Sequence, residues 1–237
     1  MRIHRIHLPK LQVGTVTLTG SEAHHLSTVL RVAIGQEVKA FDGKGLEAVG
    51  TIQNVNEFQV VLNVQEPKTS EVEASLKITL CIALLKGDKL SDVVRQATEL
   101  GVVAVQPFIS NHCDVKELGA NKLERLRRVA QEASKQSGRS VVPEVREAVK
   151  LKDLQLSSTS VVAHPYASSS INDFTPLIKE GWGDLAILTG PEGGFAPQEI
   201  DLLMSKGATP VRLGARILRA ETAPIALIAA FLLPDAL

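Results

Sequence analysis

Two glycine-rich stretches hold the residues of this chain best suited to chemistry: TGPEGGFAP, from Thr189 to Pro197, and LGARILRAET, from Leu213 to Thr222. In the first, Gly190, Gly193 and Gly194 let a backbone come close to a flat or extended ligand. They equally suit a tight turn into a helix opened by Pro197. The stretch has neither the Gly-Lys-Ser/Thr of a phosphate loop nor the Gly-x-Gly-x-x-Gly of a dinucleotide site, which excludes both of those chemistries. Glu192 either complements a helix start or binds a donor group of a ligand. In the second stretch Arg219 and Glu221 lie within one turn of each other. A planar cation can hold a developing anion or a phosphate, and a nearby carboxylate can take a proton or orient the cation. Alternatively, the two cap the helix that follows.

Both stretches need strands to carry them. DLAIL precedes the first and ATPVR the second, and parallel α/β sheets gather ligands outside the carboxyl ends of their strands. LKITLCIALL is nearly continuous and apolar, as befits a strand covered on both faces. A helix follows from Asp88, with Leu90, Val93, Val94, Ala97 and Leu100 on one face and a stop at Gly101. VVAVQPFI, SVVAHP, DLAILTG and ATPVRLG read as further strands, NKLERLRRVAQEASKQSG as a helix, and Pro197 to Lys206 as another ended by Gly207. This alternation predicts an α/β domain with a mostly parallel sheet. The first 70 residues differ. RIHRIHL, GTVTLTG, the hairpin EVKAFDGKGLEAVGTI and FQVVLNV are short strands, with one helix N-capped at Ser21 and stopped by Gly35, a pattern that predicts a small β-barrel. The polar residues 65–75 link the two parts. The apolar run from Ala223 to Leu233 falls short of the ~20 residues a bilayer-spanning helix needs. It predicts a helix buried on all sides, in the core or against a second subunit.

Composition narrows the class. The chain has 237 residues, is 44% hydrophobic but only 3% aromatic, and balances 26 basic against 26 acidic residues. Cys81 and Cys113 lie in unrelated contexts, so no disulfide framework follows, and His24-His25 and His112-Cys113 offer too few ligands for a metal. MRIHRIHLPK has no apolar segment behind it and is no signal peptide. A cytoplasmic protein is expected. Basic residues cluster twice. Arg2, His4, Arg5, His7 and Lys10 load one end, and Lys122, Arg125, Arg127, Arg128, Lys135 and Arg139 face only Glu124 and Glu132. Such runs are solvated faces or nucleic-acid patches.

KGDKLSDVVRQATELGV, QSGRSVVPEV, LTGPEGGFAPQEI and RLGARILRAETA together resemble the 16S rRNA (uracil-N3)-methyltransferases, members of the SPOUT superfamily of S-adenosylmethionine-dependent enzymes. HHLSTVLRVAIGQEVKAFDGKG resembles that family's PUA-like RNA-binding domain. The matches run over almost the whole chain. The resemblance implies a PUA-like β-barrel over 1–70 and, over 71–237, a SPOUT methyltransferase domain with a trefoil knot, a rare exception to unknotted topology. It places methyl-donor contacts at Leu188, Thr189, Gly190, Glu192 and Gly193, and at Leu213, Gly214, Ile217 and Leu218, with the strand end near His164 closing the site. It implies no metal, and a homodimer held through the terminal helix. An arginine common in the family is His112 here.

Within that resemblance, methylation of uracil N3 requires loss of a proton and stabilisation of an anion spread over ring oxygens. Arg219 and Glu221 are the catalytic candidates. Arg2, Arg5, Arg31, Lys86 and Arg139 are the candidate RNA contacts. Methylation of another RNA position, such as a ribose 2′-hydroxyl, and a non-catalytic RNA-binding role in ribosome assembly are the alternatives.

Overall fold

Alternating apolar and polar residues near the N-terminus become strands in the computed structural model, which describes residues 3–174 and 183–233. The strands are β1 (His4–His7), β2 (Gly14–Thr19), β3 (Glu37–Phe41), β4 (Leu46–Val55), β5 (Gln59–Val64) and β6 (Lys68–Thr69). They form one sheet in the order β1-β3-β4-β5-β2, with β6 on β4. Pairing is antiparallel except between β1 and β3. The β3–β4 turn is held by Asp42, whose Oδ1 accepts from the amides of Lys44 (2.7 Å) and Leu46 (3.0 Å). Gly43 and Gly45 supply the positive φ that the turn needs. Ile6, Val38, Ala40, Ile52, Val60, Leu62 and Val64 form the core, joined by Ala23 and Leu26 from the helical segment.

That segment differs from expectation. Helix α1 (Gly20–His24) starts directly from the extended Thr19, so Ser21 lies inside it rather than capping it. One π-helical turn over His25–Val29 continues it. Arg31 then takes a left-handed conformation (φ 50) and brings the Val32 amide onto the Leu26 carbonyl. The helical segment therefore ends before Gly35, which serves the turn into β3.

The chain divides into one unit of Met1–Glu73 with Ser134–Val142 and another of Ala74–Ala133 with Pro143–Leu237. Local pattern assigned the stretch from Ser134 to Val142 to the second part. Charge assigns it to the first. Glu73 accepts from Arg139 Nε and Nη2 and from the amides of Ser140 and Val141, all within 3.1 Å. Arg5 donates to Glu47, to the Arg139 carbonyl and to Ser140 Oγ, with its guanidinium over the Phe41 ring.

The second unit contains β7 (Lys77–Ala83), α2 (Lys89–Leu100), β8 (Ala104–Ile109), β9 (Glu144–Val145), β10 (Val149–Lys150), β11 (Ser160–Ala163), β12 (Asp184–Thr189), α4 (Pro197–Ser205), β13 (Ala208–Val211) and α5 (Thr222–Leu232); α3 (Ala120–Ser137) begins in it. The sheet order is β10-β8-β7-β12-β11-β13, with β9 on β8. Every ladder is parallel. Ile78, Leu80 and Ile82 of β7 are fully buried, as is Cys81, whose thiol burial pushes up to about 12 against a small opposing effect of Arg146. Gly101 ends α2 in a left-handed conformation. After β13, at one edge, the chain returns to the sheet centre, where α5 packs on α2, β12 and β7. Pro224, Leu227, Ile228, Phe231 and Leu232 are buried there, whereas Ile225, Ala226, Ala229 and Ala230 are half-buried. Within the single chain, burial of α5 is complete on one face and partial on the other. No described helix is long and apolar enough to cross a membrane.

The Arg139–Glu73 pair is nearly buried, and removing one partner of such a pair strands the other charge. Arg139→Ala is expected to destabilise the first unit by ~3–5 kcal/mol, read from the urea midpoint of its unfolding transition.

Candidate active site

Four strand ends of the parallel sheet meet at one cavity of about 440 Å³. Lys89 reaches it from the segment after β7, His164 and Pro165 from that after β11, Thr189 to Glu192 with Gly194 and Phe195 from that after β12, and Leu213 with Arg216 to Glu221 from that after β13. β12 lies between β7 and β11, where the strand order reverses, the position at which open α/β sheets hold ligands.

The loop after β12 is held from within. A Cβ on Gly190 would stand 3.0 Å from the Phe195 ring, and one on Gly193 would stand 2.9 Å from the Cβ of His112. Phe195 itself stacks on Phe108. His112 Nδ1 lies 3.2 Å from the carbonyls of both Gly193 and Gly194. These two glycines therefore admit protein side chains, and only Gly190 of the pair also lines the cavity. Glu199, at the start of α4, accepts from the Ala196 amide (2.9 Å) and the Asn111 amide (2.8 Å), closing the loop's far end.

Lys89 is the electrostatic centre. Its Nζ lies 3.0 Å from Glu192 Oε1 and 3.4 Å from Glu221 Oε2. The Lys86 amide also donates to Glu192 (3.3 Å). Burial pushes the Glu192 carboxyl up, but backbone amides and Lys89 more than offset this and hold it below its ordinary 4.5. Lys89 is held above 10.5, chiefly by Glu192, against desolvation and with help from Glu221. Because Glu192 is depressed, its contribution is complete above 4.5 and is lost as pH falls through the folded-state value. Because Lys89 is raised, its contribution is complete below 10.5 and is lost only as pH rises through its higher folded value. The tie is closed throughout the neutral range.

Of the expected donor contacts, Thr189, Gly190, Glu192, Leu213, Ile217 and Leu218 line the cavity; Leu188 lies buried behind it, and Gly193 and Gly214 are outside its lining. Arg219 is at the cavity and exposed, with no side-chain hydrogen bond or ion pair among the described residues. Glu221 is at the cavity too, turned to Lys89 rather than to Arg219. Thr189 Oγ1 is buried without a hydrogen-bond partner among the described residues, and Glu221 Oε2 is buried with only Lys89 to answer it. Among the expected RNA contacts, Arg31 and Lys86 are exposed, Lys86 pairing at 2.8 Å with Asp114. Arg5 and Arg139 are engaged inside the first unit, and Arg2 lies outside the described residues. No group of three or more His, Cys, Asp or Glu among the described residues could hold a metal.

Sequence reasoning missed Lys89 and Phe195. Lys89 did leave a signal: a cation in the first turn of a helix opposes the helix dipole, which points to a task other than helix stability. Phe195 reads in sequence as one more apolar residue.

An all-parallel sheet with its cavity at the strand ends, joined to a second β unit, defines the class. The RNA methyltransferase domain family matches residues 72–232, and the RNA methyltransferase PUA domain family matches residues 18–64. The chain belongs to the RNA methyltransferase family. Its relatives include ribosomal RNA small subunit methyltransferase E of Bacillus subtilis, 33% identical over 95% of this chain and 93% of that one, and its namesake in Synechocystis, 33% identical over 91% and 72%. The structure is similar to the methyltransferase E of Neisseria gonorrhoeae bound to S-adenosyl methionine, with a TM-score of 0.88 at 34% identity over 97% of this chain and 96% of that one. A Legionella pneumophila protein in complex with the same cofactor gives a TM-score of 0.86 at 31% identity over 98% and 97%.

If Lys89 holds the loop after β12 to the start of α5, Lys89→Met leaves Glu192 and Glu221 facing one another. Amide exchange across Gly190–Gly194 is then expected to accelerate by roughly two- to fivefold. Unchanged protection would mean that His112 and Phe195 hold the loop alone.

Proposed function

We propose that this chain is a cytoplasmic, homodimeric enzyme that transfers a methyl group from S-adenosylmethionine to N3 of a uridine in 16S ribosomal RNA of the small subunit. The observation that carries the reading is the cavity at the four strand ends, walled by the glycine-bearing segments after β12 and β13. The cavity volume lies in the range typical of small-molecule sites. Similarity to methyltransferases along nearly the whole chain supports the choice of ligand.

The residues present fit the donor. Thr189, Gly190, Leu213 and Leu218 would hold it, with Ile217 and Phe195 as apolar wall. When bound, it supplies a methyl group on a sulfonium, and in-line displacement then depends on alignment. The protein's own tasks are to bind, orient and handle charge. Arg219 is free to face the uracil oxygens and stabilise the anion left when N3 loses its proton. Glu221 Oε2 is the buried acceptor nearest to it in sequence, kept in place by Lys89. We also assign a trefoil knot to this reading, supported by the return of the chain from β13 to the sheet centre. The half-buried apolar face of α5 is the surface assigned to a second copy, which sedimentation of the full chain at micromolar concentration tests; a monomer would remove this part of the reading.

RNA anchoring falls to Arg31 and Lys86. Arg31 holds a left-handed backbone that costs an ordinary residue roughly 1–2 kcal/mol, and a glycine there would relieve it. A residue kept against its backbone preference points to a task for its side chain. Arg31→Gly is expected to leave stability within about 1 kcal/mol of the parent while weakening RNA binding and reducing the salt slope by about 1. An unaltered slope would make Arg31 a structural residue.

Arg219→Ala is expected to lower kcat by about 10²–10³-fold with much smaller changes in donor and RNA affinity. Arg219→Lys should restore little, since a point charge cannot span two oxygens. Full turnover with lost RNA affinity would reassign Arg219 to phosphate binding.

A further inference from the structure

The single tyrosine of this chain stands at the cavity's edge and faces water. Tyr166 is 79% exposed, as is Phe58 of the first unit at 78%, whereas Phe41, Phe108 and Phe231 are fully buried. Its neighbours His164 and Pro165 line the cavity. The loop that carries it is fixed. The Ala167 amide donates to the His164 carbonyl (3.1 Å), making Pro165 and Tyr166 the two central residues of a turn, the first with its φ set by the proline ring. The amide of His164 donates to the Val211 carbonyl (2.9 Å), that of Arg212 to Ser169 (3.0 Å), and that of Ile171 to Arg212 (3.1 Å). These bonds stitch the loop along the end of β13. The His164 imidazole meets the tyrosine ring edge-on, with centroids 5.9 Å apart.

An exposed aromatic ring on a braced turn suits a flat partner, because little side-chain or backbone freedom is lost when the partner stacks. N3 lies on the pairing edge of uracil, so a base methylated there must be unpaired. Proteins that bind unpaired RNA stack its bases on aromatic side chains. We propose that Tyr166 stacks on a nucleobase of the substrate RNA at the mouth of the cavity, so that the enzyme engages an unpaired RNA segment there. The inference rests on the RNA-methylating reading above.

The test uses the full-length protein and two fluorescein-labelled RNA probes of equal length, a single-stranded uridine-containing oligonucleotide and its duplex, with affinity read by anisotropy. Binding is read without turnover, so it stands or falls independently of the methylation reading, which donor calorimetry and methyl incorporation into RNA decide on the parent protein. Tyr166→Ala is expected to raise the Kd for the single strand by roughly 5- to 100-fold, to leave duplex binding and donor affinity unchanged, and so to abolish the preference for the single strand. Tyr166→Phe should restore the parent Kd to within about twofold, because the ring and not the hydroxyl makes the contact, whereas Tyr166→Leu should not. An unchanged Kd in Tyr166→Ala, or rescue by Leu as complete as by Phe, overturns the proposal. So does a lowered sedimentation coefficient for Tyr166→Ala with RNA affinity intact, which would make Tyr166 a contact between subunits.

Discussion

β12 pairs with β7 along all six of its residues and with β11 through Ser160, Val161 and Val162. Its backbone is committed on both sides through Ala186–Leu188, and Thr189 at its end is still paired with Ile82 of β7. The segments after β7, β11 and β13 then inherit their spacing from the interstrand distance of about 4.8 Å. A cavity assembled this way needs no long rigid loop. It needs short connections, and side chains that stop each from swinging outward.

Those side chains act by two different means. On the β12 side, glycine brings the backbone against Phe195 and His112, and the fit is steric. On the α2 side, one lysine answers two carboxylates carried by separate segments. Placing a cation at a helix N-terminus is unfavourable by itself, and here Glu192 and Glu221 offset it. Lys89 also offsets one of the two carboxylate charges at the mouth of the site, and Arg212, Arg216 and Arg219 stand as the exposed charges of the segment after β13. A protein with no formal net charge can present a locally basic entrance in this way.

The legible parts of the fold were those with a short period. Alternation marked β2 and β5, the Leu90-Val93-Val94-Ala97 stripe marked α2, and Gly101 and Gly207 marked helix ends. The parallel sheet followed from strand and helix alternation alone. Two-residue strands such as β6, β9 and β10 carry no periodicity and were invisible. So was the attachment of Ser134–Val142 to the first unit, since the Arg139–Glu73 pair spans 66 positions and ion pairs leave no local pattern. The same limit applies at the site. The two loops could be read from their glycines, and six of the donor contacts that the resemblance implied lie in the cavity wall. What the glycines accommodate could not be read, because His112 and Phe195 become their neighbours only after folding. Ser21 failed as a cap because β2 runs straight into the helix, leaving no room for a capping residue after Thr19.

Cys81 sits in the middle of β7, opposite Leu188 of β12 and Gln106 of β8. With its thiol pushed up to about 12 and no access to water, it carries almost no thiolate at neutral pH and cannot meet an alkylating reagent while the layer packed over that face of the sheet stays closed. Its reaction therefore requires the packing over the central strand to open. The chain thus carries its own clock: the labelling of Cys81, resolved from that of the buried Cys113, counts how often the core beneath the cavity opens, with no residue changed.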